Sequence, residues 1–195
     1  MEGALEDREH AHRFLEIIRQ NSRRINNLVD DLLTISKLEL GVISVKKSDV
    51  HFQDITEAVL GVLQDKAKEK NLSMSVSIPQ DAVAIRADRD RLIQIFTNLV
   101  DNAIKFTEKG GVNLGMKREN GKTILFVEDT GIGIPEKHIS RLGERFYRVA
   151  AARSRTMGGT GLGLAIVIHL VKAHGWDMKI ESIVGKGTKV RIIIS

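Results

Sequence analysis

Apolar residues at Phe14, Ile18, Ile25, Leu28, Leu32 and Ile35 are separated by threes, fours and one seven, the spacing of one face of an α-helix. Leu15, Val29 and Leu33 widen the stripe, which turns polar at Asn21 and Ser22. No Pro or Gly interrupts residues 4–40, and Gly41 stands where a helix-ending glycine belongs. The pattern predicts a single helix of roughly 50 Å at ~1.5 Å per residue. A small domain cannot cover that length, so part of the stripe is expected to meet another helix in a coiled coil or bundle.

After Gly41 the periodicity alternates. Ile55, Val59, Val62, Leu63 and Ala67 predict an amphipathic helix over residues 52–70. Leu92, Ile95, Phe96, Leu99, Val100 and Ala103 predict another over 88–106, capped by Asp88. Strands are expected within 42–50, then at 72–78, 82–87, 112–118, 123–128, 178–182 and 189–194. Glu119-Asn120-Gly121 turns the hairpin between the fourth and fifth of these. A short helix follows Pro135 to about residue 142, and a longer one covers 162–174. Between them, residues 143–160 lack a pattern and are rich in Arg and Gly. The fold class is α+β, a two-layer sandwich of sheet and helices (42–195) preceded by a long N-terminal helix (1–41).

Composition narrows the chemistry. The chain has 195 residues, no Cys, and 30 basic against 25 acidic side chains, a formal charge of +5. Without Cys there is no disulfide framework, thiolate nucleophile or Cys-based zinc site. Its eight aromatics are too few for a base-stacking platform, so a nucleic-acid partner is not expected. No apolar run approaches the roughly 18 residues of a membrane-spanning helix, and the N-terminus has no signal-peptide core. His51, His138, His169 and His174 have no metal-ligand spacing and read as core or surface histidines.

Four clusters are polar or glycine-rich where an apolar pattern would otherwise continue. Asn98, Asn102 and Lys105 fall at i, i+4 and i+7 of one helix face, followed by Phe106. Two amides and an ammonium suit a phosphate chain and its hydrated Mg²⁺, though a solvated polar face would carry the same residues. Asp129-Thr130-Gly131-Ile132-Gly133-Ile134-Pro135 follows a strand. Its alternate glycines admit a flat ligand, and its carboxylate can accept from an exocyclic amine such as that of adenine; a plain glycine turn is the other reading. Glu144-Arg145-Phe146-Tyr147-Arg148 leads into a segment with Arg153 and Arg155. Finally, Gly158-Gly159-Thr160-Gly161-Leu162-Gly163 opens a helix, where free N–H groups form an anion site. Neither G-x-x-x-x-G-K-[ST] nor G-x-G-x-x-G is present.

In this order the clusters resemble the catalytic and ATP-binding domain of bacterial sensor histidine kinases, within the wider family shared by DNA gyrase, Hsp90 and MutL. Asn98–Phe106 is similar to that family's N box, and Asp129–Ile134 to its G1 box. Glu144–Arg148 is similar to the F box, and Gly159–Gly163 to the G2 box. Residues 24–33 resemble the second helix of the dimerisation and phosphotransfer hairpin.

The resemblance implies a mixed sheet and assigns roles. Asn102 would coordinate Mg²⁺, with Asn98 and Lys105 on phosphates and Phe106 closing the N box. Asp129 would take the adenine amine, with Gly131, Gly133 and Ile134 shaping the pocket. Tyr147 and Arg148 would sit at the nucleotide, and Gly159, Thr160, Gly161, Leu162 and Gly163 would flank the phosphates. ATP and Mg²⁺ are the implied ligands. The implied activity is that of an ATP-dependent protein histidine kinase, with a response-regulator receiver domain as partner and possible dimerisation through the N-terminal helix. In the hydrolytic branch of the family a glutamate lies four residues before the Mg²⁺ asparagine; here that position is Asn98, which cannot act as a general base.

Three features depart from the family. The phosphoacceptor box H-E-x-x-[TN]-P is absent, since the two prolines are Pro79 and Pro135. The chain therefore reads as a soluble, cytoplasmic fragment of a membrane-anchored sensor. It would be unable to phosphorylate itself and would act on a histidine-bearing hairpin in trans. Gly143 replaces a usual aromatic, which is expected to loosen the anchor of the following segment. Trp176 replaces a usual glycine, which is expected to change only packing. The competing reading is a nucleotide-binding interaction module without turnover of its own, and a serine kinase of the anti-sigma type is a weaker third.

Overall fold

The computed structural model describes residues 8–42, 44–149 and 160–194. Helix α1 (Arg8–Glu39) is 32 residues long. It stops at Gly41, whose φ of +66° is left-handed. Two bonds close its end, Val42 N–H to Lys37 O at 3.0 Å and Gly41 N–H to Leu38 O at 3.2 Å, the paired geometry of a glycine C-terminal cap. Among the described side chains of α1, only Ile35 is fully buried. Phe14, Leu15, Ile18, Ile25, Val29, Leu32 and Leu33 are exposed.

Three helices cover one face of the main sheet: α2 (Phe52–Glu69), α3 (Arg89–Phe106) and α5 (Gly163–Ala173). The intervening α4 (Glu136–Ile139) is a single turn. As expected, Asp88 caps α3, its carboxylate accepting from Arg91 N–H at 3.2 Å. The sheet is formed by β2 (Ser73–Ser77), β4 (Gly111–Glu119), β5 (Lys122–Asp129), β7 (Gly187–Ile194) and β6 (Asp177–Ile183), side by side in that order. Only β2 and β4 run parallel; the other pairs are antiparallel, so the sheet is mixed. The β4–β5 turn carries Asn120 and Gly121 at φ +52° and +76°. That pair of left-handed residues matches the twist of a two-residue hairpin.

Alternation sorts the two faces of the sheet. Val112, Leu114, Met116, Leu125, Val127 and Ile192 face the helices and pack against Leu92, Ile95, Phe96 and Leu99 of α3. Phe52 meets Phe96 edge-on at 4.9 Å. On the other face Phe126 lies so close over Gly115 that a Cβ there would sit 2.2 Å from the ring. Lys189 covers that ring at 4.6 Å, and Arg191 bridges Glu119 at 2.9 Å and Glu181 at 3.2 Å. Charge therefore covers this face, where a second helix layer would require an apolar one.

Three expectations change in detail. The strand expected at 82–87 shrinks to β3 (Ile85–Ala87), which pairs with β1 (Ser48–Val50) in a separate two-stranded ribbon. The strand expected at 72–78 shortens to β2 at one edge of the sheet, with Val76 exposed. The helix expected to reach residue 142 ends at Ile139 and continues as turns.

Candidate functional site

On α3 the apolar stripe faces the core, leaving Asn98, Asp101, Asn102 and Lys105 half-buried along one side. Asn98 Nδ2 donates to Gln94 O at 3.0 Å, which leaves its oxygen facing the start of α5. Asp101 pairs with Lys105 on its own helix and with Lys66 from α2. Burial works to raise the Asp101 carboxyl, but the hydrogen bonds and charges of Lys105 and Lys66 outweigh it and hold it below the usual carboxylate range. Lys70, the residue that caps the end of α2, donates to the carbonyls of Ile104 at 2.7 Å, Lys105 at 3.0 Å and Thr107 at 3.2 Å. A cation thus satisfies the free carbonyls where α3 ends.

The second cluster begins at the end of β5. Asp129 Oδ1 accepts from Gly131 N–H at 2.8 Å and Thr188 N–H at 3.2 Å. Burial raises its pKa above the usual value; those two donors pull it down, and Glu128 pushes it up again. Among the described residues both bonds fall on Oδ1, leaving Oδ2 for a donor from outside. Gly131 runs against the end of α3: a Cβ there would lie 2.4 Å from Phe106 O, which accepts from Ile132 N–H at 3.2 Å. Gly133, at φ +67°, passes the β6–β7 turn so closely that a Cβ would meet Ile183 O at 2.1 Å. Ile134 N–H donates to Ser182 Oγ at 2.8 Å.

The third and fourth clusters meet the first. A Cβ on Gly163 would lie 2.8 Å from Asn98 Oδ1, so the first residue of α5 rests on the N-box amide. Gly161, at φ +76°, packs on the Phe146 backbone, with Arg148 alongside. Leu162 is buried, and its N–H donates to Thr160 Oγ1 at 3.2 Å. Phe106 thus touches Gly131, Asn98 touches Gly163, and Phe146 touches Gly161, so one continuous patch joins the four clusters. Gly158 and Gly159 lie outside the described residues, as do Arg153 and Arg155.

Tyr147, in the third cluster, is held by side chains around α4. Its hydroxyl lies 2.6 Å from His138 Nδ1, and the Arg141 guanidinium stacks 4.2 Å from its ring centre. The side chain is anchored to α4 and the turns after it. Gly143 lies close to α5. A Cβ there would meet Ile168 Cδ1 at 2.5 Å, so an aliphatic chain from α5 occupies the space beside it.

Several contacts at the site come from residues outside the four clusters. Asp31 of α1 accepts from Thr160 Oγ1 at 2.9 Å. Burial raises its carboxyl pKa, Thr160 lowers it, Asp30 raises it and Lys105 lowers it again. Glu39 pairs with Arg145 and lies 3.9 Å from His169. Asp31, Ile35 and Glu39 recur every four residues, so a single stripe of α1 docks on the sandwich. That spacing was visible in the sequence, but nothing there tells two docking acids from a solvated face.

No group of three or more His, Cys, Asp or Glu capable of holding a metal occurs among the described residues. A cation here would depend on neutral amide oxygen and ligand phosphates, a donor set that fits Mg²⁺. A small cleft beside Pro79, Val83, Met116 and Thr123 lies at the opposite, hairpin end of the sheet.

A mixed sheet backed by helices, with a glycine loop after its central strand and a glycine-opened helix that both rest on α3, defines an ATPase-type α+β sandwich. The family model described as histidine kinase-, DNA gyrase B-, and HSP90-like ATPase matches residues 87–195, and the chain belongs to that family. It is 34% identical over 192 residues to the sensor histidine kinase WalK of Bacillus subtilis, a match covering 97% of this chain and 31% of the relative. It is 35% identical over 189 residues to the circadian input-output histidine kinase CikA of Synechococcus elongatus, covering 95% and 25%. The chain spans about a third or less of the length of these two relatives. Full-length ShkA in complex with AMPPNP has a similar structure, with a TM-score of 0.82 at 29% identity over 94% of this chain and 38% of that one. The Acinetobacter baumannii histidine kinase AdeS shares the fold, with a TM-score of 0.77 at 24% identity over 97% and 85%.

Proposed function

We propose that this chain is the ATP-binding catalytic part of a two-component sensor kinase, which transfers the γ-phosphoryl group of ATP to a histidine on a separate helical hairpin. The convergence of Asn98, Phe106, Gly131, Gly161 and Gly163 in one patch carries this reading. The ShkA structure, with its bound ATP analogue, supports it. Adenine would place its amine on Asp129 Oδ2, while Oδ1 stays fixed by Gly131 and Thr188. Gly131 and Gly133 would let the ring lie against bare backbone. Mg²⁺, held by the Asn102 amide and phosphate oxygens, would supply charge neutralisation. Asn98, Lys105 and the N–H groups opening α5 would orient the phosphates.

In the reaction, an imidazole nitrogen of the acceptor forms a bond to the γ-phosphorus. The bond to the bridging oxygen breaks, and ADP leaves with the electron pair. Positioning and charge stabilisation account for such a transfer. Asn98 has no basic lone pair and its nitrogen is engaged with Gln94 O, so activation of water at this position is disfavoured. In the longer protein the phosphoryl group would pass to a response-regulator receiver domain. The sensor would be membrane-anchored, although no described helix is long and apolar enough to cross a membrane.

The test incubates the chain with ATP radiolabelled at the γ position, Mg²⁺ and a separate hairpin bearing a complete histidine box. The expected product is an acid-labile, base-stable phosphohistidine on the hairpin. An unlabelled hairpin despite nucleotide binding would replace this reading with that of a nucleotide-binding interaction module.

A further inference from the structure

Asp101 stands between two ammonium groups of different origin. Lys105 reaches it from one turn along α3, and Lys66 reaches it from α2. Their exposures differ: the Lys105 side chain is 21% exposed, Asp101 24% and Lys66 43%. Lys105 is the inner partner, on the same stripe as Asn98 and Asn102, and its charge acts on Asp31 across the site. Lys66 is the outer partner, on a helix that contributes nothing to the four clusters.

One carboxylate needs only one cation. If Asp101 had Lys105 alone, moving that ammonium to a phosphate would strand a half-buried carboxylate without a partner. Such a group costs far more than the pair gained. With Lys66 in place, Lys105 can leave and Asp101 stays neutralised. The backbone carrying Lys105 does not have to move, because Lys70 fixes the carbonyls of Ile104, Lys105 and Thr107. The exchange is confined to a side chain.

We propose that Lys66 is a positioning residue for the nucleotide: it holds Asp101 so that Lys105 is released to the phosphate chain. The inference rests on the reading of Lys105 as a phosphate ligand, and it adds a residue from α2 that touches no substrate. Two lysines at the end of α2 then divide the work, Lys70 in the cap fixing the backbone and Lys66 freeing the side chain.

The test measures Mg-ATP affinity by calorimetry and adenosine affinity by NMR titration on the full chain, with the melting temperature recorded without ligand. Lys66→Met is expected to bind Mg-ATP about tenfold more weakly, the loss of roughly one charge-assisted hydrogen bond, and to bind adenosine as the unaltered protein does. Lys66→Arg should restore Mg-ATP binding. Combining Lys66→Met with Asp101→Asn should also restore it, because no carboxylate remains to retain Lys105. Unchanged Mg-ATP affinity in Lys66→Met overturns the proposal. So does an equal loss of ATP and adenosine binding, which marks a merely structural role. Lys105→Met separates the two levels: if it binds Mg-ATP normally, the phosphate role of Lys105 fails and the proposal falls with it. If it binds weakly while Lys66→Met does not, only the proposal falls.

Discussion

Replacing Gly133 by Ala introduces two costs at one position, and the structure supplies a control that separates them. Gly133 has φ +67°, a conformation in which an L side chain costs about 1–2 kcal/mol. Its Cβ would also sit 2.1 Å from Ile183 O and 2.9 Å from Val184 Cα, both backbone atoms. Backbone cannot swing aside as a side-chain tip can, so the G1 loop and the β6–β7 turn must part by about 1 Å; overpacking of that kind costs about 1–3 kcal/mol. Gly185, in the same turn, has φ +79° and nothing within 4 Å of its Cβ position. Gly185→Ala should therefore lose only the conformational part, and Gly133→Ala about 2–5 kcal/mol in total. Urea unfolding of the two variants measures both losses. Displacing Gly133 also shifts Gly131 and Ile134, the neighbours that hold the rim beside Asp129, so Mg-ATP should bind Gly133→Ala several-fold more weakly than Gly185→Ala. Equal destabilisation by the two substitutions would refute the close-approach argument. Unaltered ATP affinity in a destabilised Gly133→Ala would refute the link between this loop and the nucleotide.

His174 predicts a pH dependence of stability. It is fully buried, stacks on Trp176 at 4.3 Å, accepts Asp88 N–H on Nε2 and donates from Nδ1 to Leu170 O. Burial lowers its pKa, the Leu170 carbonyl raises it, Lys47 lowers it and Asp88 raises it; the net result lies below the ordinary 6.5. The unfolded chain then takes up the proton first, so this contribution is complete above pH 6.5 and lost as pH falls through and below that value. Melting temperatures from pH 8 to pH 5 should decline more for the unaltered protein than for His174→Gln, and parallel curves would contradict the assignment. Separately, the exposed stripe at Phe14, Ile18, Ile25 and Leu32 should drive association with a second copy. Light scattering should show mass rising with concentration, abolished by Ile25→Glu; a strict monomer at high concentration would contradict this.

Elements whose signals are local were legible in the sequence. The Asp88 cap and the six stripe positions expected on α3, the Asn120-Gly121 turn and the Gly41 cap all sit where their chemistry places them. Pairing was less legible. A three-residue strand has no measurable period, so β1 and β3 could not be matched to each other or removed from the main sheet. The four clusters were visible because glycine and amide residues break an apolar pattern. Lys66, Lys70, Asp31 and Glu39 were not, because a charged residue on an exposed helix face looks the same whether or not it has a distant partner. The contact of the Tyr147 hydroxyl with His138 was equally invisible, because the two residues lie nine apart with no periodic pattern between them.

The connection between α1 and the sandwich is fastened early on the sandwich side. Lys46 N–H donates to Asp88 Oδ2 at 3.0 Å, and Lys47 Nζ donates to His174 O at 2.7 Å. The tether therefore runs from Gly41 to Lys46, five residue steps, with a maximum reach of about 17 Å at ~3.4 Å per residue. A short leash of this kind confines the sandwich to the immediate neighbourhood of its own helix. Any target carried on that helix or bundled with it is then met at an effective concentration on the order of millimolar. For a target so placed, orientation rather than tight affinity between the two parts would govern the encounter.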